Sequence, residues 1–182
     1  MFELKNNYIT KQEQAEFVLT RVFNAPRTLV FDALTNLNRL KKWWGPQGFK
    51  WVDGTLDLRS EGMFHYCLRS LDGIEMWGKF VFREIVENER LTYIASFSDK
   101  EGNTIRHFAD DTWPRSVLMV INFQEHEGKT ILSMHGIPVN ASDREIDTYA
   151  SCHQVMKQDF KGTFNQLDEY LSEVIVDIRQ YF

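Results

Sequence analysis

The sequence predicts an α+β domain: a curved antiparallel sheet of about six or seven strands around a long C-terminal helix, with two short helices after the first strand. Three observations carry this prediction. Strand-like alternation recurs through residues 49–137 and is broken by glycine-bearing turns. A strand pattern and two short helical patterns precede that stretch. The C-terminal third carries apolar residues every three or four positions, the period of a helix with one buried face.

Residues 1–15 are polar and form an expected N-terminal arm, and residues 16–182 read as one domain. No repeat, low-complexity tract or linker divides them. Phe17 to Phe23 alternates as a strand, with Phe17, Leu19, Arg21 and Phe23 on one face. Pro26 then opens a helix, because its missing N–H costs nothing in a first turn. Leu37 to Trp44 gives a second short helix, stopped by Gly45-Pro46. Phe49–Leu58 reads as a strand, bent at Asp53-Gly54. Met63–Leu71 and Ile74–Val86 flank Asp72-Gly73, a two-residue hairpin signal. Arg90–Ser98 is the next strand, and residues 99–114 form a long polar loop. Ser116–Glu125 and Lys129–Ile137 close a last hairpin around Glu127-Gly128. Ser142 and Glu145 fit a capping box, and the stripe beyond them predicts one long helix with a bend at Gly162.

Composition narrows the function classes. The chain has 182 residues, enough for one domain with a real core. Its 21 basic and 26 acidic residues are interspersed, so no basic stripe suggests nucleic acid. No run reaches the ~18 apolar residues of a membrane span. The polar start lacks a secretory signal core, so a cytoplasmic protein is the expectation. Cys67 and Cys152 lie far apart and read as free thiols. Nothing in the sequence implies a metal or cofactor, and no familiar catalytic signature is present. The aromatic share of 14% demands a thick core or a lined cavity.

At several places the chain resembles the stand-alone bacterial relatives of the activator of heat-shock protein 90 ATPase, within the START-like, birch-pollen-allergen-like superfamily. The matching stretches include Thr20-Arg21-Val22-Phe23-Asn24-Ala25-Pro26, Leu40-Lys41-Lys42-Trp43-Trp44-Gly45-Pro46, Glu89-Arg90-Leu91 and Lys161-Gly162-Thr163-Phe164-Asn165-Gln166-Leu167. They run in order over roughly residues 16–172. The resemblance implies a helix-grip fold with a central hydrophobic cavity. It implies little chemistry, since such proteins include lipid carriers, polyketide cyclases, ring-hydroxylase subunits and a cochaperone domain.

The expected cavity residues are Trp43, Trp44, His65, Cys67, Trp77, Tyr93, His107, Trp113, Met119, Met156, Phe160 and Phe164. His65 and Cys67, two apart on a strand, share a face. They are either a polar spot in the cavity wall or a hydrogen-bonded histidine beside a packed thiol. His107 sits in the long loop with Arg106, Asp110, Asp111 and Trp113, which either grip a ligand's polar end or are solvated around an anchoring Trp113. The indoles of Trp43 and Trp44 border a cavity mouth or pack in the core. The expected role is binding of a small hydrophobic molecule, such as a lipid, polyketide or aromatic metabolite. A cyclase- or hydrolase-type enzyme using His65, His107 and Tyr93 is the alternative, and a chaperone partner is implied by the resemblance alone. A strand edge near Met63–Ile85 could pair two copies into a homodimer.

Overall fold

The computed structural model describes residues 9–180. In chain order the elements are α1 (Lys11–Gln14), β1 (Phe17–Phe23), α2 (Arg27–Thr35), α3 (Leu37–Trp43), β2 (Lys50–Leu56), β3 (Met63–Arg69), β4 (Glu75–Val86), β5 (Arg90–Ser98), β6 (Val117–His126), β7 (Lys129–Pro138), α4 (Asp143–Ser151) and α5 (His153–Gln180). The strands form one curved antiparallel sheet in the order β1-β7-β6-β5-β4-β3-β2. Hairpins join β2 through β7 in sequence, and β1 closes onto β7 with Phe17 opposite Gly136.

Cross-strand register fixes which face is inside. On β1, Phe17 meets α5 through Phe160 and Phe23 meets it through Phe164. Passing from partner to partner, Phe17, Gly136, Met119, Tyr93 and Phe82 share that face. Phe80, two residues from Phe82, carries the face on to Phe64 of β3. The core lies between this face and helices α2 to α5. The ion pair of Arg21 with Asp168, helped by Asn165, ties β1 to α5 across it.

Within the expected arm, Thr10 and Glu13 form a capping box over α1, and Lys11 reaches Asp147 of α4 at 2.8 Å. Residues 1–8 of the arm lie outside the described residues. Three expectations are corrected elsewhere in the fold. The β3–β4 turn is one residue longer than Asp72-Gly73. Ser70 donates to the Ile74 carbonyl and accepts from Gly73, so the loop is Leu71 to Gly73 with only Gly73 at positive φ. By contrast Glu127 and Gly128 both take positive φ, as a two-residue hairpin requires. Helix α5 runs unbroken through Gly162, and the terminal helix, expected in one piece, is broken at Cys152. There Ser151 Oγ donates to the Thr148 carbonyl, the acceptor that Cys152 N–H also uses, and this competition loosens the turn. Finally, β3 and β4 are flanked on both sides, so the free edges belong to β1 and β2 and not to the hairpin expected to pair two copies.

Candidate functional site

The inner face of β2 to β5 is a wall of rings. Phe64 stacks on Tyr66 at 4.8 Å between centroids, and Phe80 stacks on Tyr93 at 4.3 Å. Trp44, just past α3, stands edge-on to Phe64, Tyr66 and Phe80. Trp51 lies parallel to Phe64. Glycines make the room. A Cβ on Gly54 would lie 2.6 Å from the Trp51 ring, and one on Gly78 the same distance from the Tyr66 hydroxyl. These rings therefore lie flat on bare backbone. Trp44, Trp51, Tyr66 and Phe80 face inward yet are only half-buried, as are Met156 and Phe160 on α5. Within the fold, α5 lies closest to β1, α2 and α3.

The structure separates the expected cavity residues into three groups. Trp44, Tyr93, Met119, Met156, Phe160 and Phe164 are in the interior. Phe164 is fully buried against Phe23, and Trp43 is buried with its indole N–H donating to the Ala33 carbonyl at 3.1 Å. Trp43 is thus part of the core. His107 and Trp113 lie together at the end of the sheet where β5 stops. His107 sits edge-on to Phe97, and Trp113 packs on Tyr149 of α4. The loop around them is fastened to α4 by Arg106 to Glu145 at 3.0 Å and Thr112 to Thr148 at 2.8 Å. Its polar groups spend their bonds there, including Asp110 on Thr112 and His107 Nδ1 on the Ala109 N–H.

His65, Cys67 and Trp77 form the third group and lie on the opposite face of the sheet. Their cross-strand partners are Lys79, Trp77 and Ser98, which alternate out of phase with Phe64, Tyr66 and Phe80. His65 Nε2 lies 3.1 Å from both Ser98 Oγ and the Asp99 carbonyl, and its ring rests on Trp77. Burial pushes the Cys67 thiol up to about 11, so it is a packed neutral thiol. Sequence reasoning passed over Trp51, Phe64, Tyr66 and Phe80. The signal was available on β3, where Phe64, Tyr66 and Leu68 share one parity and outweigh His65 and Cys67 on the other.

The interior is poor in charge. Burial raises the phenols of Tyr66, Tyr93 and Tyr149 above the ordinary tyrosine range. Burial also lowers His107, opposed by Asp110, and lowers His153, opposed by the Ala15 backbone. Both imidazoles are neutral near pH 7. Among the described residues no group of histidine, cysteine and carboxylate side chains is arranged to hold a metal, and no helix is long and apolar enough to cross a membrane.

A family model described as Activator of Hsp90 ATPase homolog 1-like protein matches residues 24–172. No curated protein matches the sequence. Solved structures of similar fold include a protein from Mycobacterium smegmatis, 22% identical over 87% of this chain and 91% of its own, with a TM-score of 0.70. A Nitrosomonas europaea protein is 21% identical over 88% of this chain and 96% of its own, with a TM-score of 0.69. A protein from Arthrobacter aurescens is 20% identical over 88% of both chains, with a TM-score of 0.72. At these identities the likeness is one of fold.

Proposed function

The chain belongs to the Activator of Hsp90 ATPase homolog 1-like family, and from that premise we propose that it binds a small hydrophobic molecule between its sheet and its last helix. One observation carries the proposal: Trp44, Trp51, Tyr66 and Phe80 point into the interior and yet are only partly buried. Rings that face a covering helix in a filled core lose nearly all exposure, as Phe64 and Phe164 do. An aromatic wall that keeps accessible area suits a flat or oily ligand. Titrating the protein with fatty acids, lysolipids and polycyclic aromatics, while following tryptophan emission, tests this. A saturable change that weakens in Trp44→Leu supports it, and no binding across the panel overturns it.

A reaction in the same interior has less support. His65 is on the other face of the sheet, away from Tyr93 and His107, so the three suggested acid–base groups do not converge. The family match favours one second reading, an activator of a heat-shock protein 90 type ATPase. Stimulated ATP turnover by a purified chaperone of that type would support it, and unchanged turnover at saturating protein would remove it.

A further inference from the structure

Resting on that reading of the interior, we propose that its ligand is a neutral apolar molecule carrying one hydroxyl or carbonyl group, read by Tyr149 and His153, and that anions are refused. The two residues stand either side of the break between α4 and α5, with ring centroids 5.4 Å apart and planes nearly perpendicular. Tyr149 is 0% exposed. Its hydroxyl lies over Gly136, where a Cβ would come within 2.5 Å of it and 2.9 Å of Met119 Sδ. That places it beside the Tyr93–Phe80 pair, because Met119 is the cross-strand partner of Tyr93. His153 sits edge-on to Phe17, which in turn touches the half-buried Phe160.

The Tyr149 hydroxyl and His153 Nε2 are buried without a hydrogen-bond partner among the described residues, although the Ala15 backbone lies near enough to the His153 ring to favour its protonated form. A buried polar atom without a partner costs about 1–3 kcal/mol, so a pair of them in one place points to an occupant. A phenol donates and accepts, and a neutral imidazole offers one donor and one acceptor. Together they match a hydroxyl or a carbonyl. Glycine at 136 is what lets the phenol reach the sheet: any side chain there would displace it.

Charge decides against a carboxylate or phosphate. Arg21, the cation on the inner face of β1, is already held by Asp168 and Asn165. Lys157, one turn beyond His153, is exposed. Glu16 lies close enough to Tyr149 to help hold its phenol protonated. An anion would therefore enter a low-dielectric space with a carboxylate nearby and, among the described residues Arg21 and Lys157, no free cation.

Three probes of one shape test this by calorimetry on the full chain at pH 7: naphthalene, 2-naphthol and 2-naphthoate. The expectation is that 2-naphthol binds at least tenfold tighter than naphthalene, and naphthoate weaker than either. Tyr149→Phe, which deletes only the unpartnered hydroxyl, should bring 2-naphthol to the naphthalene level and leave naphthalene unchanged. His153→Leu, a second variant independent of the first, should weaken 2-naphthol at least threefold. Equal binding of naphthol and naphthalene by the wild type, or naphthoate as the tightest probe, overturns this inference while the binding reading stands. Absence of binding by all three, and by the wider panel above, overturns both.

Discussion

Gln166 donates from Nε2 to the carbonyls of Trp43 and Gly45, at 3.2 and 2.7 Å, and Thr163 donates to the same Gly45 oxygen. These bonds pin the end of α3 to α5 and so set where Trp44 stands. Removing Gln166 leaves two backbone acceptors without that donor, so Gln166→Ala should cost about 1–3 kcal/mol in urea unfolding and shift tryptophan emission. A second prediction concerns pH. His107 and His153 are both held below their ordinary 6.5 when folded, chiefly by burial. Below that value the unfolded chain binds more protons, so stability present above about pH 6.5 is lost as pH falls toward the depressed folded values. The melting temperature should drop between pH 7 and 5, and His153→Leu should flatten that slope. Glu145 and Asp110 are lowered by hydrogen bonds from Ser142 and Thr112, so their share is lost only below the ordinary carboxylate range. At this scale the sequence was half legible. That Trp43 and Trp44 matter was plain from the helix stop, but which of the two is core was set by a bond to Ala33, ten residues earlier in the chain. For His65 and Cys67 their shared face was readable, and the side it looked toward was not, because that depends on register with β4.

Elements were read more securely, since periodicity and caps are local. Each strand and helix from Phe17 onward stands close to where its pattern placed it, and Ser142 with Glu145 does form the capping box. What escaped were irregularities with tertiary causes. The bulge in β2 falls between Trp51 and Asp53 and turns Trp51 inward, where Asp53-Gly54 alone had suggested the bend. Gly162 lies inside a continuous helix, and a Cβ there would sit in ordinary contact, 3.6 Å from Gln47. Gly162→Ala should therefore stabilise the protein by about 0.5–1 kcal/mol through helix propensity, measurable as a raised urea midpoint with unchanged slope. Gly78→Ala should do the opposite. Its new methyl would meet the Tyr66 ring and hydroxyl within 2.7 Å, so a loss of about 1–3 kcal/mol and a displaced ring are expected.

On the scale of the whole molecule, one sheet buries its β1, β7 and β6 side under α2, α4 and α5 and keeps an aromatic wall on β2 to β5 that is covered less completely. The order of elements and the terminal apolar stripe were enough to foresee a sheet gripping a helix. They could not reveal how fully the two layers meet, because that depends on ring orientation over Gly54, Gly78 and Gly136. The most direct measurement is a crystal of natively purified protein pressurised with xenon, which enters apolar space without needing a specific fit. Xenon density between the Trp44–Tyr66–Phe80 wall and the Met156–Phe160 stretch of α5 is the predicted result. A xenon-free interior, with those five side chains in mutual contact and shielded from solvent, would contradict it.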